Sequence, residues 1–190
     1  MTFFFPLTGE PLALDLLNTR PADAGDLIAD RAGLAAWLAV EGDRLTRVAE
    51  VGEAEVAAAH AVREAAGPAL EAVRRGERPP AGALEALNAV LAAAPVRREL
   101  RWSAPTGLVA APHREAAPAA RLAAELAEAV VDLLTDARVT SVRVCEADDC
   151  VLLFLPLHPR RRWCVASACG NRARVARYYT RHKGSGPEGG

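Results

Sequence analysis

The stretch RRRWCVASACGNRARVARYYTRHK, Arg160 to Lys183, decides the fold of the C-terminal part of this chain. It places Cys164 and Cys169 directly before a segment with the composition of a helix. Thiolates are favoured at a helix N-terminus, because backbone N–H groups and the helix dipole lower the thiol pKa. The stretch therefore predicts a cysteine turn that leads into a terminal helix.

All four cysteines lie in the last 46 residues of the chain. They form one C-x4-C pair, a gap of thirteen residues and a second C-x4-C pair: Cys145, Cys150, Cys164 and Cys169. Two pairs at tight turns aim four sulfurs at one point, which fits one tetrahedral zinc ion. Four thiolates leave no open position, so the predicted zinc is structural. The alternative is four buried or disulfide-bonded cysteines, which their clustering and a reducing compartment disfavour.

Charge is unevenly distributed along the chain, whose net charge is −1. Residues 1–144 carry fifteen Arg against twenty Asp and Glu, whereas residues 151–183 carry seven Arg, one Lys and no acid. The tail is therefore a separate electrostatic unit. The first twenty residues have no basic region typical of a signal peptide, and no apolar run is long enough to span a bilayer. We expect a cytoplasmic protein with no membrane partner.

The arginines of the tail divide into two groups on a helix of about 100° per residue. One group shares a face and, with the loop before Trp163, predicts a basic surface that contacts nucleic-acid phosphates. Its members are Arg160, Arg161, Arg162, Arg174, Arg177 and Arg181. Arg172 lies on the opposite, apolar side, where we expect carbonyls or a carboxylate to pair it. The alternative for the whole segment is a solvated basic helix.

Gly170, Asn171 and Arg172 are the predicted structural motif of the second cysteine turn. Gly170 suits a close backbone approach. We expect Asn171 and Arg172 to tie this turn to the rest of the module or to the N-terminal domain.

The chain is predicted to be mainly α. Residues 10–135 show helical periodicity, with a kink or break expected at Gly67-Pro68 and a small β-hairpin expected within residues 96–112. After residue 140, two short strands joined by CEADDC precede the terminal helix, which gives a zinc-stabilised ββα, treble-clef-like module. The predicted units are a helical domain over 1–138, a zinc finger over 139–183 and a disordered tail over 184–190.

The motif RRWC…CGNRARVARYYTRHK, preceded by C-x4-C and LFL, resembles the CGNR zinc-finger family. The segments LALDLLNT and DLIADRAGLAAWLAVEG are similar to the ABATE-type domain that accompanies this finger. The resemblance implies a stress-related bacterial transcriptional regulator, with zinc on the four cysteines and a finger that contacts DNA.

Three classes of function follow from these patterns. The first is a DNA-binding regulator whose N-terminal domain senses a small-molecule effector or forms a homodimer. The second is a zinc module for protein–protein or intramolecular docking without nucleic acid, since the acidic N-terminal domain attracts the basic tail. The third, an enzyme, is not expected because no catalytic motif is present. Asp15, Asn18 and Arg20 are candidates for binding an effector, with helix capping or hydrogen bonding between helices as the alternative.

Overall fold

The computed structural model describes residues 4–183, and their side chains up to residue 179. The predicted disordered tail, 184–190, lies outside the described residues. The helices are α1 (Leu12–Leu17), α2 (Arg31–Glu41), α3 (Glu53–Arg74), α4 (Ala81–Ala93), α5 (Pro118–Thr135) and α6 (Asn171–Lys183). The strands are β1 (Arg97–Ser103), β2 (Gly107–His113), β3 (Arg143–Val144) and β4 (Leu153–Phe154). The predicted mainly α class, with one hairpin and a ββα module, is confirmed.

The N-terminal domain is built on the packing of α3 against α5, which α1, α2 and α4 surround. Its core contains fully buried Leu14, Leu34, Trp37, Leu70 and Leu126. Buried residues recur at helical spacing on α2, at Leu34 and Trp37, and on α5, at Leu122, Leu126, Val130 and Leu133, so each of these helices turns one apolar face inward. None of the helices in the described part of the chain combines the length and the apolarity needed to cross a membrane.

The break predicted at Gly67-Pro68 is wrong, because α3 continues through Pro68 to Arg74. A proline in a helix removes one backbone hydrogen bond and normally clashes with the Cβ of the preceding residue. Gly67 has no Cβ, which relieves that clash. Ala66, Ala69 and Leu70 are buried around the proline, so packing holds the helix together at this point.

The hairpin and the two short strands form separate two-stranded sheets. β1 pairs with β2 in antiparallel register, with Arg97 opposite His113 and Ser103 opposite Gly107. β3 and β4 are only two residues each, with Val144 opposite Leu153. The second sheet is therefore too small to be stable by itself and depends on what surrounds it.

The domain boundary at 138/139 remains a prediction, and each of the two hydrophobic cores contains residues from both sides of it. Val139, Val142 and Leu155 belong to the core of the helical domain. In return, Leu7 is buried in the core that contains the cysteines. The two parts of the chain therefore share apolar surface in both directions.

Two buried ionic clusters fix the loops around α1 and α2. Arg63 of α3 forms a double hydrogen bond with Asp26 and donates to the Thr19 hydroxyl. Burial opposes ionisation of Asp26, but this guanidinium outweighs it and lowers the pKa of Asp26 to about 2. In the second cluster, negative charge exceeds positive charge.

In that second cluster, one nitrogen of Arg44 serves two buried carboxylates. Nη1 of Arg44 lies 2.6 Å from Asp15 Oδ2 and 2.6 Å from Glu41 Oε2. Oε1 of Glu41 is buried and has no partner among the described residues. Burial, and then the Asp15 carboxylate, raise the pKa of Glu41 to about 7. With this pKa a large part of Glu41 is protonated at neutral pH, which lowers the cost of burying its carboxyl group.

Glu41→Gln tests this cluster through the pH dependence of stability. A folded-state pKa above the unfolded value of 4.5 means that the folded protein binds the proton more tightly. The stability that this proton provides is full below about pH 4.5 and is lost as the pH rises through about 7. Between about pH 4.5 and pH 7, we expect the free energy of unfolding of the wild type to fall by on the order of 1–3 kcal/mol relative to that of Glu41→Gln. Urea unfolding at a series of pH values measures it. Glu85→Gln, exposed on α4, is the control, and parallel curves for wild type and Glu41→Gln would contradict the assignment.

Candidate metal centre

The first cysteine pair lies in a tight turn between β3 and β4. The Cys145 N–H donates to the Leu152 carbonyl at 2.9 Å, and the Cys150 N–H donates to the Ala147 carbonyl at 3.2 Å. Asp149 adopts φ 60°, a left-handed conformation that Asp tolerates better than most residues. The turn brings both sulfurs to the same side.

The second pair lies where the chain enters α6. Cys169 is part of a π-helical turn, Ala166–Gly170, and α6 begins directly after it at Asn171. The Gly170 N–H donates to the Val165 carbonyl, and the Cys164 N–H donates to Cys145 Sγ at 3.3 Å. The predicted cysteine turn before a helix is therefore present, with a wider first turn than an α-helix has.

The four sulfurs converge on one point. All four lie within 4.8 Å of one another. The Sγ atoms of Cys150 and Cys164 are 3.8 Å apart, those of Cys150 and Cys169 are 3.8 Å apart, and those of Cys164 and Cys169 are 3.5 Å apart. A tetrahedron with Zn–S bonds of about 2.3 Å has edges of roughly 3.8 Å. The cluster has the size that zinc requires.

The sulfurs are also shielded from solvent, since three of the cysteines are buried and Cys150 is half-buried. Four thiolates complete a tetrahedral shell, so this is a structural site without an open position. It is the binding site of one structural zinc ion, which confirms the predicted cofactor, and the four predicted ligands are the residues whose sulfurs converge there.

Arg172 stabilises one of these sulfurs. Burial opposes the thiolate at Cys169, but Arg172, whose Nη2 lies 3.1 Å from Cys169 Sγ, and the neighbouring thiols lower its pKa. Burial raises the pKa of Cys150 to about 11 and that of Cys164 further. Four thiolates on one Zn²⁺ carry a net charge of −2, and a guanidinium at hydrogen-bond distance offsets part of it.

The predicted placement of Arg172 is wrong in its details. The residue is exposed, and it donates to a sulfur instead of a carbonyl or carboxylate. Its role in fastening the second cysteine turn stands. Asn171 contributes as well, because its Nδ2 donates to the Ser167 carbonyl at 2.8 Å and so joins the first turn of α6 to the cysteine turn.

Gly170 does not provide the predicted close backbone approach. A Cβ at this position would lie 3.5 Å from Trp163 Cε3, which is an ordinary contact distance. The glycine is buried against the indole, and no positive φ requires it.

Asn18 connects the N-terminal domain to β4. Its Oδ1 accepts the Leu153 N–H at 2.8 Å, and its Nδ2 donates to the Leu153 carbonyl at 2.9 Å. The side-chain amide thus pairs with Leu153 as a neighbouring strand would. This bond joins residues 135 positions apart in the sequence.

Glu10 forms a second connection to the zinc module, and no local sequence pattern predicts it. Its carboxylate accepts the Leu155 N–H at 2.9 Å and Nη2 of Arg161 at 2.6 Å. The Glu10 side chain is only 8% exposed. The one general indication in the sequence was the complete lack of acids in residues 151–183, which leaves any acidic partner to be supplied by the N-terminal domain.

The three residues predicted to bind an effector, Asp15, Asn18 and Arg20, each contact other protein groups in the described structure. Asp15 is buried and accepts the Gly9 and Glu10 N–H groups together with Arg44. Asn18 is taken up by Leu153, and Arg20 pairs at the surface with Asp26 and Glu64. All three have protein partners, so the alternative of structural hydrogen bonding accounts for them.

Of the arginines predicted to form a basic surface, one is partly buried and four are exposed in the described structure. Arg161 is wrong as a surface residue, because it bonds Glu10 and the Cys164 carbonyl and lies 4.4 Å over the Phe154 ring. Arg162 pairs with Glu146 at an exposed position. Arg160, Arg174 and Arg177 are exposed. The side chain of Arg181 lies outside the described residues.

Two residues that sequence reasoning passed over shape this surface. Nη1 of Arg143 donates to the Pro159 and Arg161 carbonyls at 3.0 and 3.1 Å, which fixes the course of the basic loop. Trp163 lies between that loop and α6, with the guanidinium of Arg162 5.5 Å and that of Arg177 5.9 Å from its ring centre. The indole therefore brings loop and helix arginines to one place.

Arg172→Ala tests the contact with the metal centre. Loss of a partner that orients and neutralises a ligand typically lowers metal affinity by 10–100-fold, so we expect zinc affinity to fall on the order of tenfold or more. The measurement is competition with a chromophoric chelator under reducing conditions. Arg174→Ala is the matched control, because its guanidinium bonds Asn171 and no sulfur. Equal zinc affinities for the two variants would show that Arg172 does not support Cys169.

Two family models match the chain. The ABATE model, described as "Putative stress-induced transcription regulator", matches residues 10–137. The CGNR zinc finger model matches residues 141–182 and contains all four cysteines. A comparison with curated proteins gives no match. The first match covers more than half of the chain, and the second agrees with the four-sulfur site, so this chain belongs to the ABATE family and carries a CGNR zinc finger.

Proposed function

We propose that this protein is a transcriptional regulator that binds DNA through its zinc finger. The observation that carries the proposal is an exposed group of arginines on α6 and the loop before it, Arg160, Arg162, Arg174 and Arg177. No acid of the N-terminal domain pairs with any of these four among the described contacts. Their charge is therefore available to an external anion.

The geometry of α6 supports contact with a duplex. The main contact of this helix within the described chain is the cysteine turn that precedes it, so the helix projects from the body. Arg174, Arg177, Tyr178 and Tyr179 are all exposed along it. A projecting basic helix is the form in which many DNA-binding modules enter the major groove.

The ion pair between Arg162 and Glu146 does not oppose this function. Both side chains are about half exposed, at 53% and 43%, and exposed pairs of this kind contribute little to stability. Phosphate can therefore replace Glu146 as the partner of Arg162. The guanidinium of Arg162 also stacks near Trp163, which keeps it at the surface whether its partner is Glu146 or a phosphate.

The alternative is a zinc module that docks on protein without nucleic acid. The contacts of Glu10 with Arg161, and of Asn18 with Leu153, favour intramolecular docking of the finger on the N-terminal domain. These contacts use β4 and the loop, whereas Arg174 and Arg177 lie on α6. Docking therefore leaves the proposed DNA surface open, and the two roles are compatible in one protein.

Further parts of the proposal concern the rest of the molecule. The N-terminal domain senses an effector or forms a homodimer, and no enzymatic activity is proposed because four thiolates leave zinc no open position. Cysteine thiols stay reduced in the cytoplasm, which supports a cytoplasmic location, and the description of the ABATE family supports a role in the response of a bacterial cell to stress.

The salt dependence of DNA affinity tests the proposed surface. The electrostatic part of binding is independent of sequence, so any short duplex suffices, and each phosphate contact contributes roughly 0.9 to the slope of log K against log salt. We expect the triple variant Arg160→Ala, Arg174→Ala, Arg177→Ala to reduce the slope by roughly 2–3. Fluorescence anisotropy with a labelled duplex measures it.

Arg78→Ala is the control for this experiment, since Arg78 is exposed in the turn between α3 and α4. Its slope should match wild type. A triple variant that retains the wild-type slope and affinity would show that these three arginines do not contact DNA. Wild type that shows no salt-dependent affinity for the duplex would favour the docking alternative.

A further inference from the structure

The β1–β2 hairpin, Arg97 to His113, forms an arm whose main contacts are between its own two strands. The register places Leu100 opposite Ala110 and Trp102 opposite Leu108. Directly opposed residues of an antiparallel pair share a face. Leu100, Trp102 and Leu108 therefore lie together on one face of the arm.

This face is open to solvent. Leu100 is 73% exposed, Trp102 is 76% exposed and Leu108 is 69% exposed. The opposite face is polar, with Glu99 paired with Arg101 and close to His113. An isolated two-stranded ribbon is marginal in water, and an exposed apolar patch of several hundred Å² commonly marks an interaction site. The arm has the chemistry of a docking element.

A matching depression exists elsewhere on the chain. A cleft of about 750 Å³ lies between the start of α1, the segment after α2 and α5. Its partly exposed apolar lining is Pro11, Leu12 and Ala129, above the buried Leu45 and Leu133, and its lining also includes Asp43 and Asp132. Neither of these two carboxylates bonds to any group in the described part of the chain. The cleft combines apolar surface with unpaired negative charge.

The arm carries the complementary charge. Arg98, opposite Pro112 in the register, lies on the same face as Leu100 and Trp102. Its guanidinium has no partner within residues 4–179. Arg44 and Arg138, the two arginines that line the cleft, are already paired with Asp15 and Glu41 and with Asp136. An incoming arginine therefore finds free carboxylates there.

The arm and the cleft lie on the same side of the molecule. A depression at the base of the arm, lined by Val96 and His113, shares Thr46, Glu125 and Glu128 with the cleft. When two complementary surfaces adjoin in this way, a two-fold axis between two copies lets each copy supply an arm and a cleft. Both arms and both clefts are then used at once.

We propose that two copies of this chain form a dimer in which the arm of each docks in the cleft of the other. Leu100, Trp102 and Leu108 cover the apolar part of the partner's cleft, and Arg98 pairs with Asp43 and Asp132 there. A stable interface needs about 800 Å² from each partner, more than one arm face offers. The reciprocal exchange doubles the contribution, which favours a second copy over an unrelated protein.

This inference rests on the dimerisation role proposed above for the N-terminal domain and is independent of the finger's contact with DNA. A dimer presents two copies of α6 related by two-fold symmetry, and such pairs read two half-sites. A single finger makes few base contacts, so a pair provides the specificity that one lacks.

Sedimentation velocity of the full, zinc-loaded chain without DNA tests the dimer. We expect wild type to dimerise with rising concentration and Trp102→Ser with Leu108→Ser to weaken the dimer on the order of tenfold or more. Leu157→Ser is the matched control, because Leu157 is 89% exposed on the finger and outside both surfaces. Wild type that stays monomeric, or a dimer that survives the double change, overturns the proposal.

Charge reversal identifies the docking site without relying on the apolar variants. Arg98→Glu alone, and Asp43→Arg with Asp132→Arg, should each weaken the dimer, while all three changes together should restore it. Failure of the combined variant to restore dimerisation overturns the cleft as the docking site. The slope of DNA affinity against salt per chain, measured on the monomeric variants, reports the finger separately, so failure of one proposal is distinguishable from failure of the other.

Discussion

The convergence of four thiolates on one zinc ion is the constraint on which the C-terminal module of this protein depends. Among the described residues, the core around the cysteines contains only seven buried ones, three of them cysteines themselves, and its sheet has two residues per strand. Such a module has too little apolar surface to fold alone, and structural zinc contributes on the order of 10 kcal/mol. The metal fixes the cysteine turn, the turn fixes the start of α6, and α6 carries the exposed arginines.

The zinc module is also fastened to the helical domain by specific polar contacts. Asn18 continues the edge of β4, Glu10 holds both the backbone of Leu155 and the side chain of Arg161, and Leu7 fills the module's core. Asp15 and Arg44 hold the Gly9–Glu10 segment in turn. The position of the finger is therefore coupled to the ionic cluster of α1 and α2. The arm and cleft lie on the helical domain, so the proposed dimerisation and the proposed DNA contact use different surfaces.

The sequence predicted what depends on local spacing and missed what depends on distant contacts. The paired cysteines, the ββα order and the hairpin follow from short patterns, and all are present. Arg161 was assigned to the surface because its neighbours in sequence are basic, whereas its partner Glu10 is 151 residues away. The helical projection places Arg172 inward because it shares a face of α6 with Val175 and Tyr179, but these two residues are themselves 52% and 62% exposed, so that face is not buried. The continuation of α3 through Pro68 could not be predicted from the sequence, because it depends on how the helix packs around Gly67 and Pro68.

The zinc content of the protein tests the central claim most directly. Elemental analysis of protein purified under reducing conditions, without chelator or added metal, should give one zinc ion per chain. Chelation should then release it together with the ordered structure of residues 143–183, while the helical domain remains folded. Protein that contains no zinc, or that keeps the fold of this segment after complete chelation, would contradict the account.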